Sequence, residues 1–243
     1  MSKETLDADV IVVGAGNAAA SAALAARGAG ARVIMLEAAT IEERGGNSTY
    51  TAGATRLVYN GVEDVTSLVD LSEAELANMD FGTYTAEQYF DDMYRMTRYR
   101  TDPELCDILV NNSLPTWQWL RQQGVKFQTS QGRQAFKVDG KFKFWGGLGI
   151  EIWGGGPGLV DMEHEICAKK GIDIRYETAG VSLLTDDEGR VTGVKVRHKG
   201  RTSDLRAGAV VLACGGFESN AEMRARYLGP GWELAKVRGT RYN

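Results

Sequence analysis

The sequence predicts an α/β fold that is built on a parallel sheet and carries an inserted helical segment and an antiparallel β-meander. Apolar runs at residues 10–13 and 32–36 enclose a glycine turn and an alanine-rich segment, which is the pattern of a βαβ unit. Residues from about 58 to 125 show apolar and aromatic positions at helical spacing. Short alternating strands separated by turns follow at about 181–206. We therefore expect a Rossmann-like domain.

The glycine turn between the two apolar runs suits the binding of a dinucleotide. Gly14 permits a tight turn after the strand, and Gly16 lets the backbone come close to a pyrophosphate because it has no Cβ. Ala19 is small enough for the helix to pack closely on the sheet, and the N–H groups at the helix start favour anionic phosphates. Glu37 ends the second strand, where its carboxylate can accept hydrogen bonds from ribose hydroxyls. The alternative is a Gly/Ala-rich helix turn in another kind of α/β protein.

The middle of the chain is predicted to be helical and then to form a β-hairpin. Thr85 and Gln88 have the spacing of a capping box, and Pro103 suits the first position of a second helix. A third helix is predicted to stop at Gly124. Apolar and basic residues alternate on both sides of residues 139–140, which predicts two strands joined by a two-residue turn. Because a two-faced ribbon explains that alternation, the basic and aromatic residues do not indicate a nucleic-acid site.

The last third of the chain is predicted to hold the meander and a closing strand. The meander strands are expected at residues 181–184, 191–197 and 202–206. A further buried strand at 209–213 runs into Cys214-Gly215-Gly216. Ligands of open α/β sheets bind at the carboxyl ends of the strands, so this second glycine segment is expected to join the first.

The bulk composition limits the class of protein. The chain has 243 residues, is 43% hydrophobic and 25% charged, and carries a net charge of −4. That charge gives no reason to expect nucleic acid or an anionic membrane as the main partner. No run of about 18 apolar residues is present, so we predict no membrane span. The polar residues 1–9 lack the apolar centre of a secretory signal.

The cysteines and histidines argue against a metal site. Cys106, Cys167 and Cys214 are far apart and odd in number, which fits neither a disulfide framework nor a metal cluster. Only two histidines, His164 and His198, are present. We therefore predict no bound metal and expect a reducing, cytoplasmic location.

Several blocks of this sequence resemble the FAD-binding half of the fumarate reductase and succinate dehydrogenase flavoprotein superfamily. The blocks are residues 14–19 with Glu37, the loop at 44–48, and the strand with its glycine pair at 210–217. Within the superfamily the chain most closely resembles the FAD-dependent tricarballylate dehydrogenase subgroup, through residues 45–48, 83–85, 99–103 and 236–241. The resemblance spans essentially the whole chain and implies a Rossmann-like FAD-binding domain.

The resemblance also implies which residues contact FAD. The first glycine segment would hold the pyrophosphate, Glu37 the adenosine ribose, and the backbone of Val181 the adenine. The loop at 44–48 would follow the pyrophosphate and flavin, while Ala52 and Gly53 would pass near the isoalloxazine ring. Cys214 stands where the family more often has threonine, so a hydroxyl is missing there. The implied cofactor-binding residues are Gly14, Ala15, Gly16, Asn17, Ala18, Ala19, Glu37, Ala38, Arg44, Gly45, Gly46, Asn47, Ser48, Ala52, Gly53, Val181, Ala213, Cys214 and Gly215.

The chemistry implied by the resemblance is the dehydrogenation of a polycarboxylic acid, of the tricarballylate to cis-aconitate type, with hydride transfer to flavin N5. The resemblance also implies a small polycarboxylate substrate and an iron–sulfur electron-transfer partner in a membrane. Relatives with covalent flavin carry a histidine near the second glycine loop, whereas residues 48–50 contain none, so non-covalent FAD is expected. The alternatives are another flavin oxidoreductase on this scaffold (precorrin-3B synthase-like, fumarate reductase or steroid dehydrogenase) and a non-catalytic nucleotide-binding fragment.

No catalytic residue is assigned from the sequence. In the resembled family, the capping domain, the substrate-binding residues and a Gly-Asp segment that holds the flavin end of FAD come after the point matched by Asn243. We therefore expect residues 1–243 to be the amino-terminal part of an FAD-binding domain, without the capping domain and the carboxyl-terminal FAD segment. Arg56, Arg133 and Lys137 are candidate substrate cations, interpreted here as solvated side chains. His164 is interpreted as an exposed helix residue, and His198 as a non-catalytic residue of the meander.

Overall fold

The computed structural model describes residues 5–243, and the first four residues of the predicted polar start lie outside the described range. Its strands are β1 Ala8–Val13, β2 Val33–Leu36, β3 Ala54–Thr55, β4 Met79–Asp80, β5 Phe127–Thr129, β6 Ala135–Val138, β7 Lys141–Phe144, β8 Ile150–Ile152, β9 Asp173–Arg175, β10 Thr178–Thr185, β11 Val191–His198 and β12 Arg201–Leu212. Its α-helices are α1 Asn17–Gly28, α2 Val62–Thr66, α3 Glu73–Ala77, α4 Ala86–Thr97, α5 Pro103–Asn111, α6 Ser113–Gln123, α7 Gln131–Gln134, α8 Gly155–Lys169 and α9 Ala221–Leu228.

The chain divides into two compact units. The first, called the sheet unit, comprises the described residues up to Thr51 together with Gly156–Asn243. The second, called the insert unit, comprises Ala52–Gly155. Within residues 5–243, no helix is long and apolar enough to cross a lipid bilayer.

The sheet unit is organised around a six-stranded sheet with the order β10-β11-β12-β1-β2-β9. Strands β12, β1, β2 and β9 are parallel, whereas β10, β11 and β12 pair antiparallel. The predicted parallel sheet and antiparallel meander are both confirmed. The prediction of separate strands at 202–206 and 209–213 is wrong, because β12 is continuous. The polar first half of β12 pairs with β11, and its apolar second half pairs with β1.

Burial explains why the first βαβ unit forms. All four residues of β2 are buried, and β1 contributes Ile11 and Val12 with no exposed surface. Strands covered on both faces are expected to be continuous apolar runs, as these are. Helix α1 buries its alanine face, Ala19, Ala20 and Ala23. Each fully buried Val, Ile or Leu side chain contributes roughly 1.5–3 kcal/mol of burial free energy, so this region is a main source of stability.

The insert unit combines helices with two small three-stranded sheets, β3-β8-β5 and β4-β7-β6. The predicted capping box is confirmed: the Thr85 hydroxyl accepts from the Gln88 N–H, and the Gln88 side chain accepts from the Thr85 N–H. Pro103 is the first residue of α5, as predicted, and its N-cap Asp102 accepts two backbone N–H groups. Gly124 ends α6 with φ +118°, a conformation that favours glycine.

The predicted hairpin is also present in the insert unit. Strands β6 and β7 pair antiparallel, and the turn residues Asp139 and Gly140 both have positive φ, +50° and +83°. Two positive φ values match the twist of a two-residue hairpin turn. The predicted helical segment at about 58–125 contains α2 to α6, but it also contains the short strand β4.

Candidate functional site

The ends of β1 and β12 meet at the first glycine of the turn. Gly14 has φ +112°, and a Cβ at this position would lie 2.3 Å from the carbonyl oxygen of Ala213. The Gly14 N–H donates to Leu36 O at 2.8 Å, and the Ala213 N–H donates to Val13 O at 2.8 Å. A side chain at Gly14 is therefore excluded both by backbone conformation and by space.

A second glycine loop lies against the start of α1. A Cβ on Gly16 would be 3.1 Å from both Gly45 O and the Ser48 hydroxyl oxygen. The Asn17 N–H donates to the Ser48 hydroxyl at 3.0 Å, and Gly45 itself has φ +90°. The first N–H groups of a helix have no acceptor inside the helix. The two loops thus bring bare backbone and helix-start donors to one place, an arrangement that attracts anions.

Glu37 lies at the end of β2, and its side chain is fixed by backbone donors. Its two carboxylate oxygens accept hydrogen bonds from the N–H groups of Ala39, at 3.0 Å, and Gly45, at 3.2 Å. The residue is only 6% exposed, and its carbonyl oxygen accepts from the Thr178 N–H at 2.8 Å. The carboxylate is held in one orientation and still has lone pairs for a ligand's hydroxyl groups.

These segments surround a cavity of about 620 Å³ within the sheet unit. Six segments supply its walls: the turn after β1, the end of β2, the second glycine loop, the start of β10, the end of β12 with the residues just after it, and residues 242–243. The lining residues are Val13, Gly14, Ala15, Gly16, Asn17, Ala18, Leu36, Glu37, Ala38, Gly45, Gly46, Asn47, Ser48, Thr178, Ala179, Gly180, Leu212, Ala213, Cys214, Gly215, Gly216, Glu218, Tyr242 and Asn243. Its size is in the range of small-molecule pockets.

Most of the implied cofactor residues line this cavity. They are Gly14, Ala15, Gly16, Asn17, Ala18, Glu37, Ala38, Gly45, Gly46, Asn47, Ser48, Ala213, Cys214 and Gly215. Ala19 instead packs, fully buried, between the helix and the sheet, which is the packing role expected of a small residue there. Ala52 and Gly53 belong to the insert unit. Their proposed contact with the isoalloxazine ring stays a prediction.

Arg44 and Val181 do not line the cavity. The Arg44 guanidinium is engaged with the Asp161 carboxylate of α8 and with the carbonyl oxygen of Ile41. Val181 is 49% exposed, and the cavity wall is formed by the preceding Thr178–Gly180. Strand β10, which contains Val181, does line the cavity as expected, but through the residues one to three positions before Val181.

Three lining residues had no signal in the sequence. The Glu218 carboxylate accepts from the side-chain amides of Asn243, at 2.9 Å, and Asn47, at 3.3 Å. The hydrogen bond from Asn243 is the main cause that lowers the pKa of Glu218. Tyr242 donates to the Glu43 carboxylate at 2.7 Å. These contacts join residues far apart in the chain, so local patterns could not reveal them.

His164 is the clearest error of the sequence interpretation, because it is buried and not exposed. Only 5% of the residue is accessible, and its Nε2 lies 2.7 Å from the carbonyl oxygen of Ala15. Its Nδ1 lies 2.8 Å from the hydroxyl of Tyr176. Burial lowers the pKa of His164. Its charged neighbours Glu163 and Glu165 suggested a solvated face, yet Glu163 is also fully buried.

The candidate substrate cations all lie in the insert unit. Arg56 is half-buried and paired, because its guanidinium contacts the Asp92 carboxylate at 2.5 Å and the Tyr84 hydroxyl at 2.9 Å. Arg133 is exposed, and its guanidinium donates to Ala52 O at 3.4 Å. The Lys137 ammonium lies 5.2 Å from the centre of the Phe142 ring. Arg56 is therefore held in an internal network, in contrast to the solvated loop expected for it.

Metal chemistry finds no support in the part of the chain that the structure describes. No group of three or more His, Cys, Asp or Glu side chains within residues 5–243 is arranged to hold a metal ion. Cys106, Cys167 and Cys214 are free thiols, and Cys214 is the exposed one. The cavity offers backbone N–H groups as donors and one buried carboxylate as an acceptor, a set that suits phosphates and a ribose.

The shape and donors of the cavity fit the ADP half of FAD. The glycines at 14 and 16 let the turn pack against Ala213 and the second glycine loop, where a Cβ would collide with protein atoms. The start of α1 offers N–H groups to phosphate oxygens. Glu37 supplies acceptors for a ribose diol. Together the parallel sheet, the glycine turn and the terminal acid define a dinucleotide-binding protein of the Rossmann type.

Comparison with known proteins narrows that class. A family described as an FAD binding domain matches residues 9–235, and the chain belongs to this family, the FAD-binding part of the fumarate reductase and succinate dehydrogenase flavoproteins. FAD is therefore its cofactor. A cytochrome-type fumarate reductase of Shewanella frigidimarina is 29% identical over 90% of this chain and 35% of its own length. A urocanate reductase of Eggerthella lenta is 29% identical over 92% of this chain and 34% of its own length.

The fold is shared with a solved flavoprotein. The open conformation of a flavocytochrome c3 fumarate reductase superposes with a TM-score of 0.73 and 28% identity, over 97% of this chain and 38% of that chain. This chain spans about a third of the length of the curated relatives it matches. The comparisons do not single out tricarballylate dehydrogenase.

Proposed function

We propose that this chain binds FAD without a covalent bond and forms the cofactor-binding part of an oxidoreductase that adds or removes hydrogen at a carbon–carbon bond. One observation carries the proposal: three glycine segments, at 14–16, 45–46 and 215–216, line a single cavity with a buried carboxylate. Residues 48–50 contain no histidine near the second glycine loop, which supports non-covalent attachment.

Three of the wall segments of the cavity have a proposed contact with FAD. The turn at Gly14–Ala18 faces the pyrophosphate, because it combines bare backbone with the start of α1. Glu37 accepts from the adenosine ribose, and the backbone of Thr178–Gly180 meets the adenine in place of Val181. When FAD is bound it supplies hydride acceptance at N5, and the protein supplies orientation and charge.

The named relatives support a class of substrate. Fumarate, urocanate and vinyl phenol, from which three relatives take their names, each contain a carbon–carbon double bond conjugated to a carboxylate or an aromatic ring. We propose a substrate of that kind, and specifically a polycarboxylic acid dehydrogenated in the manner of tricarballylate to cis-aconitate. Support for this specific substrate comes from the resemblance to the tricarballylate dehydrogenase subgroup at residues 45–48, 83–85, 99–103 and 236–241.

A second candidate is the reverse reaction, the reduction of a fumarate-like acid. It is favoured by fumarate reductases that match about nine-tenths of this chain, one at 32% identity. Either direction needs a partner that exchanges electrons with the flavin, and we propose a membrane-associated iron–sulfur or cytochrome protein for that role. A cytoplasmic location remains a prediction.

FAD binding is tested directly. We expect the apo-chain to quench the fluorescence of added FAD with saturable affinity, and acid precipitation of the complex to leave the yellow flavin in the supernatant. Flavin that stays in the acid pellet would contradict non-covalent attachment. Absence of quenching at micromolar protein would contradict the assignment of the cavity.

The substrate is tested on the whole flavoprotein, meaning this chain together with any segment encoded after Asn243. Under anaerobic conditions, tricarballylate is expected to bleach the oxidised flavin faster than succinate or an aliphatic monocarboxylate. For the reverse reaction, reduced flavin should be reoxidised by fumarate. Bleaching by a 3-oxosteroid alone would indicate a steroid dehydrogenase and contradict both candidates.

A further inference from the structure

A buried histidine contacts the backbone of the first glycine turn from outside the cavity. His164 lies on α8, and its Nε2 is 2.7 Å from Ala15 O. The ring is 5% exposed, and its other nitrogen lies 2.8 Å from the Tyr176 hydroxyl. His164 does not line the cavity, whereas Ala15 and Gly16 do. Its effect on a ligand would therefore act through the loop.

The two contacts select one form of the imidazole ring. A carbonyl oxygen only accepts hydrogen bonds, so Nε2 must carry the proton that is donated to Ala15. In the neutral ring, Nδ1 is then an acceptor and takes the proton of the Tyr176 hydroxyl. Burial lowers the pKa of His164, which favours this neutral form. Both nitrogens of the buried ring are satisfied.

The contact also sets the direction of the next N–H group. The peptide between Ala15 and Gly16 is planar and trans, so its N–H points opposite to its carbonyl. Because the Ala15 carbonyl faces His164, the Gly16 N–H faces away from α8. Among residues 5–243, the Gly16 N–H donates no hydrogen bond to another protein group.

We propose that His164 is a positioning residue for the pyrophosphate of FAD: it holds the Ala15 carbonyl so that the Gly16 N–H donates to a phosphate oxygen. Tyr176 fixes the tautomer that makes this possible. The proposal rests on the proposed binding of FAD in the cavity. A leucine would fill the same volume without a polar group, and it would leave the buried Ala15 carbonyl without its donor.

Two substitutions of His164 by polar amides test whether the hydrogen bond to Ala15, and not only a polar side chain, is needed. In His164→Gln the side-chain amide nitrogen is as many bonds from the backbone as Nε2 and can still donate to Ala15. In His164→Asn the amide is one bond shorter, in the place of Nδ1, and cannot. We expect His164→Asn to weaken FAD and ADP binding about tenfold, and His164→Gln to stay within about threefold of the original chain.

The ligand series distinguishes a phosphate effect from a general loss of structure. Dissociation constants of FAD, ADP and adenosine are measured for the original chain and both variants by fluorescence competition or calorimetry. Adenosine has no phosphate, so its affinity should change less than about twofold in either variant. Thermal unfolding of each apo-variant reports the stability of the fold separately.

Each outcome of these binding measurements either supports or overturns the positioning role of His164. A loss confined to FAD and ADP in His164→Asn, restored in His164→Gln, supports the proposal. Equal losses for ADP and adenosine, or no loss in either variant, overturn it and leave the binding of FAD intact. If the original chain binds neither FAD nor ADP, the proposed function itself fails, and the positioning role fails with it.

Discussion

The two units of the chain use their polar groups in opposite ways. In the sheet unit, the Gly16 N–H and the Glu37 carboxylate face a cavity of about 620 Å³. In the insert unit, Arg56, Tyr84 and Asp92 are bonded to one another, with 2.7 Å between the Tyr84 hydroxyl and Asp92. A ligand site keeps donors and acceptors oriented and available, whereas a structural network uses them internally. Arg56, a candidate substrate cation that was interpreted as a solvated side chain, is instead bonded within the insert unit.

The largest effect is expected for a side chain at the first glycine of the turn. Gly14→Ala would place a Cβ 2.3 Å from Ala213 O at a φ of +112°. The β1 and β12 ends must then separate, which we expect to cost about 3–5 kcal/mol of unfolding free energy and to weaken FAD binding at least about 100-fold. Chemical denaturation and FAD titration measure the two effects.

Gly28→Ala is the matched control for this substitution. Gly28 ends α1, and a Cβ added at that position would meet no atom within 4 Å. Because alanine favours a helix more than glycine does, a change of less than about 1 kcal/mol, in the stabilising direction, is expected. Similar losses in both variants would show that the loop contact at Gly14 has no special role.

The second effect is a dependence of stability on pH that comes from the sheet unit. Glu163 is fully buried, and burial raises the pKa of its carboxyl group to about 8. The folded chain then keeps a proton that the unfolded chain releases, from about pH 4.5 upward. Stability should fall by about 1 kcal/mol per pH unit between about pH 5 and 8 because of this group.

Glu163→Gln removes the titration and should remove that slope. We expect the variant to match the original chain near pH 5 and to exceed it by about 2–4 kcal/mol at pH 9, measured by urea unfolding across pH. Glu165→Gln is the control on the same helix, since Glu165 is exposed and paired with Lys169 at 2.6 Å. A slope that persists in Glu163→Gln would assign it to another group.

The smallest effect is expected in the insert unit. Asp92→Asn keeps the shape but removes the charge that Arg56 and Tyr84 contact. Hydrogen bonds from Arg95 and Tyr84 lower the pKa of Asp92, so its contribution is present at neutral pH and is lost as acid protonates it. A loss of about 1–2 kcal/mol at pH 7, with unchanged FAD affinity, is expected. A tenfold loss of FAD affinity would remove the contrast between the units.

The sequence predicted what local patterns determine. The βαβ unit, the capping box at Thr85 and the Asp139-Gly140 turn are each set by a few adjacent residues, and all are present. The buried face of α8 was not predictable, because Glu163 and His164 resemble solvated helix residues until the packing partners of that helix are known. The contacts of Tyr242 and Asn243 depend on chain segments that meet only in the folded sheet unit.

The pairing of β1 with β12 has a consequence for biosynthesis. Ala8 is paired with Ala207 and Val13 with Leu212, so within the described residues the first strand, β1, is paired on one side with the last strand, β12. A ribosome releases the amino-terminal segment long before residues 201–216 exist. The cavity wall formed by Ala213–Gly216 is absent until then. FAD can therefore bind the complete cavity only after residues 213–216 are synthesised, and it cannot guide the early folding of the nascent chain. Pairing between strands so far apart in the sequence is also expected to be slow.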